Sequence, residues 1–332
     1  MKQGSHKLRI DIACPAPARS LSGNRVTAIR WARIFRALGH AVQIKHSPSF
    51  ACGNADLLIA LHAVKSARAI LDFRTKHPDR PIIVVMTGTD ISGDLNSTQA
   101  VSVLNAADRL LFLNDQSHLQ LNRRYRKKCV SIIQSAEPTV KPNKTARESP
   151  AVRVIVAGHL RWEKDPLRAA MAVRKLPVES QICIEHYGGS LDSQLEQAAI
   201  RETETNARYV WLGKRPRWQV RQRLASADLM ILSSRVEGGA SVLSEALIDC
   251  IPVICTKIPS AVGILGDSYS GYFQQGDTKE LRRILLEFEN DQGFRSTLFD
   301  QVKVLAKQVE PAQEKLNWKT LLGKIRLPVT SL

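Results

Sequence analysis

Short apolar runs recur along the whole chain, and each has about the length of one β-strand. The first six lie at residues 8–14, 41–46, 56–61, 81–88, 109–113 and 129–135, and the next six at 152–158, 181–188, 208–213, 228–234, 251–256 and 272–275. Several are apolar without interruption, which is typical of parallel strands covered on both faces. Because helix-like stretches separate the runs, the sequence predicts an α/β fold with right-handed crossovers.

The pattern divides near the middle of the 332-residue chain. Residues 136–150 are rich in Pro, Lys, Glu, Ser and Asn, a composition typical of a linker. We therefore predict two doubly wound, Rossmann-like domains, 1–145 and 146–310, and a C-terminal helix within 311–332 that crosses back to the first domain. Ligands of such sheets bind beyond the carboxyl ends of the strands, so we expect a site in the cleft between the two domains.

The chain is strongly basic, since 48 Lys and Arg residues against 31 Asp and Glu residues give a formal net charge of +17. Such a charge suits nucleic-acid binding, attraction to an anionic membrane surface or a site for two anionic substrates. The sequence carries no helix-turn-helix, zinc-finger, RRM or KH signature, so we expect no nucleic-acid partner. The basic run 123–128 is interpreted as solvated surface.

The cysteines and the chain start indicate a compartment. The six cysteines contain no C-x-x-C pair, and Cys14, Cys183 and Cys255 lie in apolar runs, which predicts buried thiols in a reducing environment. The first residues do not resemble a signal peptide. No apolar run approaches the ~20 residues of a membrane span. We expect a soluble cytoplasmic protein without stable membrane insertion.

The segment 228–247 says most about chemistry. A strand-like run leads into Gly238 and Gly239, and a helical pattern follows. Glycines allow backbone amides to approach a ligand closely, and the first turn of a helix offers unpaired N–H groups and a dipole that favours an anion. The expected diphosphate contacts are therefore the amides around Gly239, Ala240 and Ser241.

Two carboxylates bracket this anion site, Glu237 before the glycines and Glu245 on the helix. Carboxylates accept hydrogen bonds from the vicinal hydroxyls of sugars. We interpret Glu245 as a ribose ligand and Glu237 as a hexose ligand with a catalytic role. The alternative is an ordinary strand–Gly–Gly–helix connection with two surface glutamates. The spacing resembles the E-x7-E motif of retaining GT-B glycosyltransferases of the GT4 type.

The loop 158–166 follows the first strand of the second domain. It resembles the GT4 loop G-R-L-x-x-x-K, whose basic residues hold the donor diphosphate. Gly158 and Lys164 match that loop, His159 replaces its arginine, and Arg161 is expected to supply part of the missing charge. The resemblance therefore implies that these four residues bind the donor.

In the first domain, a loop rich in Pro and Ser leads into a helix at Gly23 and Asn24, which gives a second anion-binding helix N-terminus. Arg25 adds a planar fork suited to phosphate-like groups. We expect these residues to bind the acceptor. The alternative is a plain loop with a Ser or Asn helix cap.

Two further strand ends carry polar residues. His62 follows the run 56–61, and Thr89 and Asp90 follow the run 81–88. Such positions face the ligand side of a parallel sheet, so His62 and Asp90 are candidate catalytic residues and Thr89 a candidate acceptor ligand. The alternatives are a structural histidine and a turn with an Asp cap.

No D-x-D motif, which many metal-dependent glycosyltransferases use, occurs in the sequence. We therefore expect no metal and no other cofactor. The charge of the leaving group would be stabilised by Arg, Lys and the helix dipole.

A narrower resemblance spans nearly the whole chain. Residues 22–33, 58–63, 87–90, 134–136, 158–161, 232–240 and 271–273 are similar to the selenosugar synthases (SenB) of selenoneine biosynthesis, which belong to the GT-B enzymes of the GT4 type. The resemblance implies a UDP-sugar donor, UDP-N-acetylglucosamine or UDP-glucose, and selenophosphate as the acceptor. His159 would then be the normal residue of that subfamily. A GT4 enzyme acting on a lipid-linked or cell-wall glycan, and a non-catalytic nucleotide-sugar-binding module, are the alternatives.

Overall fold

The computed structural model of this chain describes residues 7–20, 22–88, 90, 93, 95–140 and 151–325. The chain divides into two compact units, residues 1–133 with 314–332 and residues 134–313. The predicted boundary at residue 145 lies outside the described residues. The second unit already includes the segment before it, because Ala136 N–H donates to the carbonyl of Val309 at 3.0 Å and Thr139 N–H donates to the Asp249 carboxylate at 2.8 Å.

The first unit contains a six-stranded parallel sheet with the order β2-β1-β3-β4-β5-β6. Its strands are β1 Arg9–Cys14, β2 Ala41–His46, β3 Leu57–Leu61, β4 Ile82–Val85, β5 Arg109–Phe112 and β6 Cys129–Ser131.

The second unit contains a six-stranded parallel sheet with the order β12-β11-β10-β7-β8-β9. Its strands are β7 Val152–Ala157, β8 Ile182–Tyr187, β9 Tyr209–Trp211, β10 Leu229–Leu232, β11 Val253–Thr256 and β12 Tyr272–Phe273. Each of these twelve strands lies within one of the predicted apolar runs, so the predicted α/β fold with two doubly wound parallel sheets is confirmed.

Helices connect the strands. They are α1 Gly23–Ala37, α2 Ala67–Lys76, α3 Thr98–Ala106, α4 Arg168–Val173, α5 Ser193–Thr205, α6 Arg217–Ala225, α7 Ser241–Ile248, α8 Pro259–Leu265, α9 Thr278–Asn290, α10 Gln292–Leu305 and α11 Pro311–Lys324. Short 3-10 turns lie at Ser47–Ser49, Ser117–Gln120, Arg123–Lys128, Trp162–Lys164 and Ala306–Val309. Across the described residues, none of the helices is both long enough and apolar enough to cross a membrane.

Helix α11 completes the core of the first unit. Trp318 is fully buried, and its ring meets those of Trp31 and Phe35 edge-on, with centroids 4.8 and 4.7 Å away. Edge-on aromatic pairs contribute about 0.5–1.5 kcal/mol each beyond burial of their area. Trp31 Nε1 also donates to the buried carboxylate of Glu314 at 2.7 Å. A residue far along the chain therefore fills the space beside α1.

One prediction about the cysteines is wrong. Cys14 and Cys255 are buried as expected, but Cys183 is exposed. It lies on β8, next to the edge strand β9, on a face that no helix covers fully. The apolar run around it predicted burial on both faces, which holds for central strands and fails near a sheet edge.

Candidate active site

The order of the second sheet places its candidate site. Strand β7 lies between β10 and β8, so the chain leaves β7 on one side and returns to β10 on the other. Ligands of doubly wound sheets bind beyond the carboxyl ends of the strands at such a reversal. The loops that start there are 158–167 after β7 and 233–240 after β10. These two loops hold the residues that the sequence predicts as donor ligands, apart from Ser241 and Glu245, which lie on the helix α7 that follows the second loop.

Lys164 and Glu237 meet at this place. The Lys164 ammonium forms an ion pair with Glu237 Oε1, and the Ser234 hydroxyl donates to the same oxygen at 2.6 Å. The two charged side chains are only 18% and 10% exposed. The sequence predicted both residues as donor ligands on different chemical groups, and the structure brings them into direct contact. A partly buried pair of opposite charges can receive a phosphate on its cation and a hydroxyl on its anion.

Hydrogen bonds fasten the two loops to each other. Ser233 Oγ donates to the carbonyl oxygens of Lys164 at 3.1 Å and Asp165 at 2.9 Å. From the same loop, Arg235 N–H donates to the carbonyl of Glu163 at 2.8 Å. The Lys164–Glu237 pair therefore rests on two segments that cannot shift independently.

A buried histidine, His186, contacts the carbonyl group of Gly158. His186 Nε2 lies 3.0 Å from the Gly158 carbonyl oxygen, and His186 Nδ1 lies 2.8 Å from the Tyr209 hydroxyl. Burial lowers the pKa of His186 to about 4, so the imidazole is neutral at physiological pH. A carbonyl can only accept, so Nε2 carries the proton and Nδ1 accepts from Tyr209. Every polar atom of the imidazole is thus paired.

Close backbone packing explains a glycine beside this loop. A Cβ atom on Gly188 would lie 1.9 Å from the carbonyl oxygen of Gly158, and Gly188 has φ +155°. Only glycine permits this contact between the ends of β7 and β8.

His159 replaces the arginine of the related loop but does not replace its charge. Its Nδ1 accepts the Gly189 N–H at 3.0 Å. Desolvation lowers the pKa of His159, and the cations Arg161, Lys164 and Lys214 lower it further. The positive charge of this loop therefore comes from Lys164 and Arg161, whereas His159 contributes a neutral ring.

Arg161 stands immediately before the turn Trp162–Lys164. Its Nε lies 3.9 Å from Glu163 Oε2, too far for a hydrogen bond. Trp162 is exposed, and the Arg235 guanidinium lies 5.1 Å from its ring centroid. Arg161 and Arg235 therefore lie beside the turn that carries Lys164.

Helix α7 begins at Ser241, with Ala240 in the N-cap position and Gly238 and Gly239 in the loop before it. The buried residues of α7 include Leu243, Ala246 and Leu247, and Cys250 lies beyond the end of the helix in the left-handed region with φ 54°. In the first turn, the Leu243 N–H donates to the Ala240 carbonyl at 2.8 Å, and the N–H groups before it lie at the start of the helix, where an anion would bind.

Glu245 lies on α7 and is 6% exposed. Its Oε1 accepts from Arg217, with Nε at 3.2 Å and Nη2 also in contact, and its Oε2 lies 3.9 Å from Arg221 Nη1. Arg221 also binds the Asp249 carboxylate at 3.0 Å. Helix α6 thus neutralises the carboxylate that the sequence predicts as the ribose ligand.

The first sheet has its own reversal. Strand β1 lies between β2 and β3, and the loops after β1 and β3 lead to α1 and to His62. Gly23 and Asn24 are the first residues of α1, and a Cβ on Gly23 would meet open space.

Arg25 reaches back to the end of β1. Burial raises the pKa of the Cys14 thiol, and the nearby Arg25 guanidinium opposes that rise. The Nε of Arg25 is buried without a hydrogen-bond partner among the described residues. The predicted acceptor residues therefore gather where a ligand of a doubly wound sheet is expected.

His62 follows β3 in a left-handed conformation with φ 67° and is 4% exposed. Such a conformation costs free energy for a residue with a side chain and is often found at functional sites. Its Nδ1 accepts the Lys65 N–H at 3.3 Å and lies 3.6 Å from Asp90 Oδ2. Burial lowers the pKa of His62 more than Asp90 raises it, so the ring is neutral.

Asp90 is used by the backbone around it. Its Oδ2 accepts the Ala63 N–H and its Oδ1 the Thr87 N–H, both at 2.7 Å. Burial raises the pKa of Asp90. These bonds join the loop after β3 to the loop after β4 and give Asp90 a structural role. The predicted acceptor ligand Thr89 lies outside the described residues.

Sequence reasoning missed four residues around the site: Arg217, Arg221, His186 and Ser234. Arg217 and Arg221 are four residues apart, a spacing that puts both on one helix face. Once Glu245 is a candidate ligand, this spacing predicts a pair of arginines that could bind its carboxylate. His186 interrupts an apolar strand, but no local pattern shows that its ring reaches Gly158.

The two six-stranded parallel sheets, each with its reversal, define the GT-B glycosyltransferase fold. The chain is similar to HepE of Anabaena, crystallised with UDP and glucose, at 16% identity and a TM-score of 0.73 over 96% of this chain and 100% of that chain. It is also similar to sucrose-phosphate synthase of Thermosynechococcus elongatus, at 13% identity and a TM-score of 0.78 over 96% and 98% of the two chains.

Residues 139–303 match the family described as "Glycosyl transferases group 1". A curated relative is the candidate teichuronic acid biosynthesis glycosyltransferase TuaC of Bacillus subtilis (strain 168), 28% identical over 102 residues. That match covers 31% of this chain and 26% of TuaC.

Proposed function

We propose that this protein transfers a hexose, N-acetylglucosamine or glucose, from a UDP-sugar to selenophosphate and so forms a carbon–selenium bond. The observation that carries the transferase part is the Lys164–Glu237 pair at the sheet reversal, beside the start of α7 and within the part of the chain that matches the group 1 glycosyltransferase family. The selenium part is carried by the resemblance of the sequence to the selenosugar synthases.

In this proposal the second unit binds the donor through its diphosphate. Lys164 and Arg161 supply positive charge, and the amides near Gly239, Ala240 and Ser241 add the dipole of α7. Gly158 and His159 form the wall of the loop. The crystal structure of HepE with UDP and glucose supports a UDP-sugar as the donor.

Glu237 would orient the hexose hydroxyls and Glu245 the ribose. Glu245 can do so without releasing Arg217, because an ionised carboxylate has about four acceptor positions. Arg217 and Arg221 then fix the carboxylate rather than compete with the ribose.

The acceptor would be held by the first unit. Selenophosphate is small and multiply charged, so charge-assisted hydrogen bonds must supply most of its binding. The start of α1 at Gly23 and Asn24 and the fork of Arg25 offer such bonds, and Thr89 is proposed as a further ligand. Few atoms are available for recognition, which favours arginine over lysine.

The reaction joins selenium to C1 of the sugar. A selenium lone pair attacks C1, the bond from C1 to the β-phosphate oxygen breaks, and UDP leaves with that electron pair. Water later cleaves the P–Se bond to give the 1-selenosugar and phosphate. Anionic selenium needs no strong base, which agrees with a neutral His62 that orients a substrate. Asp90 would act through the loop that carries His62.

Metal independence is part of the proposal. Lys164, Arg161 and the N-terminus of α7 would meet the charge that develops on UDP. Turnover should therefore persist in excess chelator, and loss of turnover restored by Mg²⁺ would contradict this part.

One assay tests the function. UDP release from UDP-N-acetylglucosamine and UDP-glucose is measured with and without selenophosphate, and the product is identified by mass spectrometry. We expect release that depends on selenophosphate and a selenium-containing sugar. UDP release that selenophosphate does not change would contradict selenophosphate as the acceptor. The proposed glycosyltransferase activity would then stand with a different acceptor.

A second candidate is a glycosyltransferase that acts on a lipid-linked or cell-wall glycan. The similarity to TuaC over 102 residues favours it. Transfer to a glycan acceptor without selenophosphate would support this function. Binding of UDP-sugar without any turnover would instead indicate a non-catalytic binding module.

A further inference from the structure

A cavity of about 620 Å³ opens in the second unit between α6 and the sheet. Its lining includes Arg153, Tyr187, Arg215, Gln219, Gln222 and Arg223. Its size falls in the range of roughly 300–1,000 Å³ that is typical of small-molecule sites.

The cavity exists because α6 does not present an apolar face to this part of the sheet. Arg153 pairs in register with Cys183, and Tyr187 follows it on the same face of β8, where Cys183 is exposed. On α6, Gln219, Gln222 and Arg223 face the cavity, whereas a helix that covers a sheet normally offers apolar side chains.

Positive charge dominates the lining. Neither Arg215 nor Arg223 forms an ion pair within the part of the chain that the structure describes. Arg153 lies 3.8 Å from Glu185, and Glu185 also accepts the Tyr187 hydroxyl at 2.5 Å. Asp228 adds a second carboxylate, since it accepts the Arg153 N–H at 2.9 Å. Two carboxylates do not neutralise three guanidinium groups, so the cavity retains a positive potential.

The cavity is separate from the candidate donor loops. Lys214 packs against Gly189 beside His159: the Lys214 Cβ lies 3.4 Å from the position that a Cβ on Gly189 would take. The next residue, Arg215, lines the cavity instead. On α6, Arg217 and Arg221 turn to Glu245, whereas Gln219 and Arg223 turn to the cavity.

We propose that this cavity binds a small anion that carries at least two phosphate groups. Arginine forks bind phosphate oxygens in pairs, and the two glutamine amides can donate to further phosphate oxygens or to hydroxyls. A bounded cavity with converging donors selects a small molecule, whereas a nucleic acid or a membrane is met by an extended basic surface.

The test uses inorganic tripolyphosphate as the probe and the full chain, titrated both as the wild type and with Lys164→Gln, which weakens the candidate donor site. No UDP is added, because its diphosphate could enter the cavity. Isothermal titration calorimetry should show binding near one probe per chain. In Arg215→Ala/Arg223→Ala the affinity should fall at least tenfold. Arg215→Lys/Arg223→Lys keeps the charge but loses the planar forks. Its affinity for the probe should lie between that of the wild type and that of the double alanine variant.

The matched control is Arg201→Ala/Arg295→Ala, which removes two exposed arginines of the same unit from other helices. It should bind the probe as the wild type does. Equal losses in the control and in the cavity variant would indicate diffuse attraction and overturn the proposal. Absence of binding to the wild type would overturn it too. Thermal unfolding of each variant shows that a lost affinity is not lost folding.

Discussion

The imidazole of His186 lies under the Gly158 carbonyl at 3.0 Å and receives the Tyr209 hydroxyl at 2.8 Å on its other nitrogen. His186 and Tyr209 are both buried, so the position of the loop 158–164 depends on side chains that lie inside the protein. We expect Tyr209→Phe, which removes the hydroxyl and leaves His186 Nδ1 unpaired, to cost about 1–3 kcal/mol of unfolding free energy. UDP affinity, measured by calorimetry, should fall as well. Wild-type values of both would show that the loop does not depend on this support.

The pH dependence of stability should carry the signature of His186. Its pKa is about 4 in the folded protein and about 6.5 in the unfolded chain, so between these values the unfolded state binds more protons. Folding stability therefore rises with pH through this window, and about 3 kcal/mol is lost as the pH falls from 6.5 to 4.

Chemical denaturation of the wild type and His186→Gln across pH 4–7 measures this effect. The stability difference between them should shrink toward low pH, because the variant has no imidazole to protonate. His46→Gln, at an exposed position, is the control for loss of a histidine. A constant difference across this pH range would contradict the expectation.

Gly188→Ala tests the close contact of the two strand ends. The new methyl group would lie 1.9 Å from the Gly158 carbonyl oxygen, so the backbone must move. We expect a loss of about 1–3 kcal/mol in stability, as for overpacked sites, together with weaker UDP binding. Gly323→Ala, where a Cβ meets open space, should not destabilise the protein. Equal melting temperatures of the two variants would contradict the model of a sterically required glycine.

Glu245→Ala should weaken UDP binding by about 1–3 kcal/mol, because hydrogen bonds from the ribose to a charged group are lost. It also leaves Arg217 without its partner. Calorimetry with UDP measures the loss, and Glu204→Ala, at an exposed helix position, is the matched control. Unchanged affinity in a folded Glu245 variant would remove this residue from the site.

Glu237→Gln should leave UDP affinity nearly unchanged and lower kcat by about 100-fold, since it misaligns the hexose. Lys164→Gln should weaken UDP binding itself, because the lysine is assigned to the diphosphate. The double variant should be non-additive, as expected for two residues in contact. If Glu237→Gln reduces UDP affinity as much as turnover, the two roles are wrongly assigned.

Arg25→Ala should raise the KM for the acceptor and leave the KM for the donor little changed, and Arg25→Lys should do so to a smaller extent. Higher salt should weaken acceptor binding further. Steady-state kinetics at fixed UDP-sugar decide this, with Arg33→Ala, exposed on the same helix, as the control. Wild-type acceptor kinetics in Arg25→Ala would move the acceptor site elsewhere.

The sequence predicted the parts of the fold that depend on local pattern. Continuous apolar runs predicted the strands, because central parallel strands are buried on both faces. It misplaced Cys183, since burial near a sheet edge depends on which helix covers that edge, and no local run of residues records this.

For the candidate site, the sequence placed Lys164 and Glu237 in two separate loops. It could not show that they pair, because their contact spans 73 positions of the chain. The partners of Glu245 were equally hidden, although the spacing of Arg217 and Arg221 was a usable signal. Side chains that support a loop from the core, such as His186, remain the hardest to predict from one sequence.

Helix α11 has a consequence for how the chain folds during synthesis. The first unit is assembled from residues 1–133 and 314–332, and its core needs the ring of Trp318 between α1 and the sheet. A ribosome finishes the entire second unit before that ring emerges. Until then, the apolar surface around Trp31 and Phe35 in residues 1–133 stays exposed to solvent. Chaperone binding to nascent chains should consequently persist at the first unit after the second has become resistant to protease.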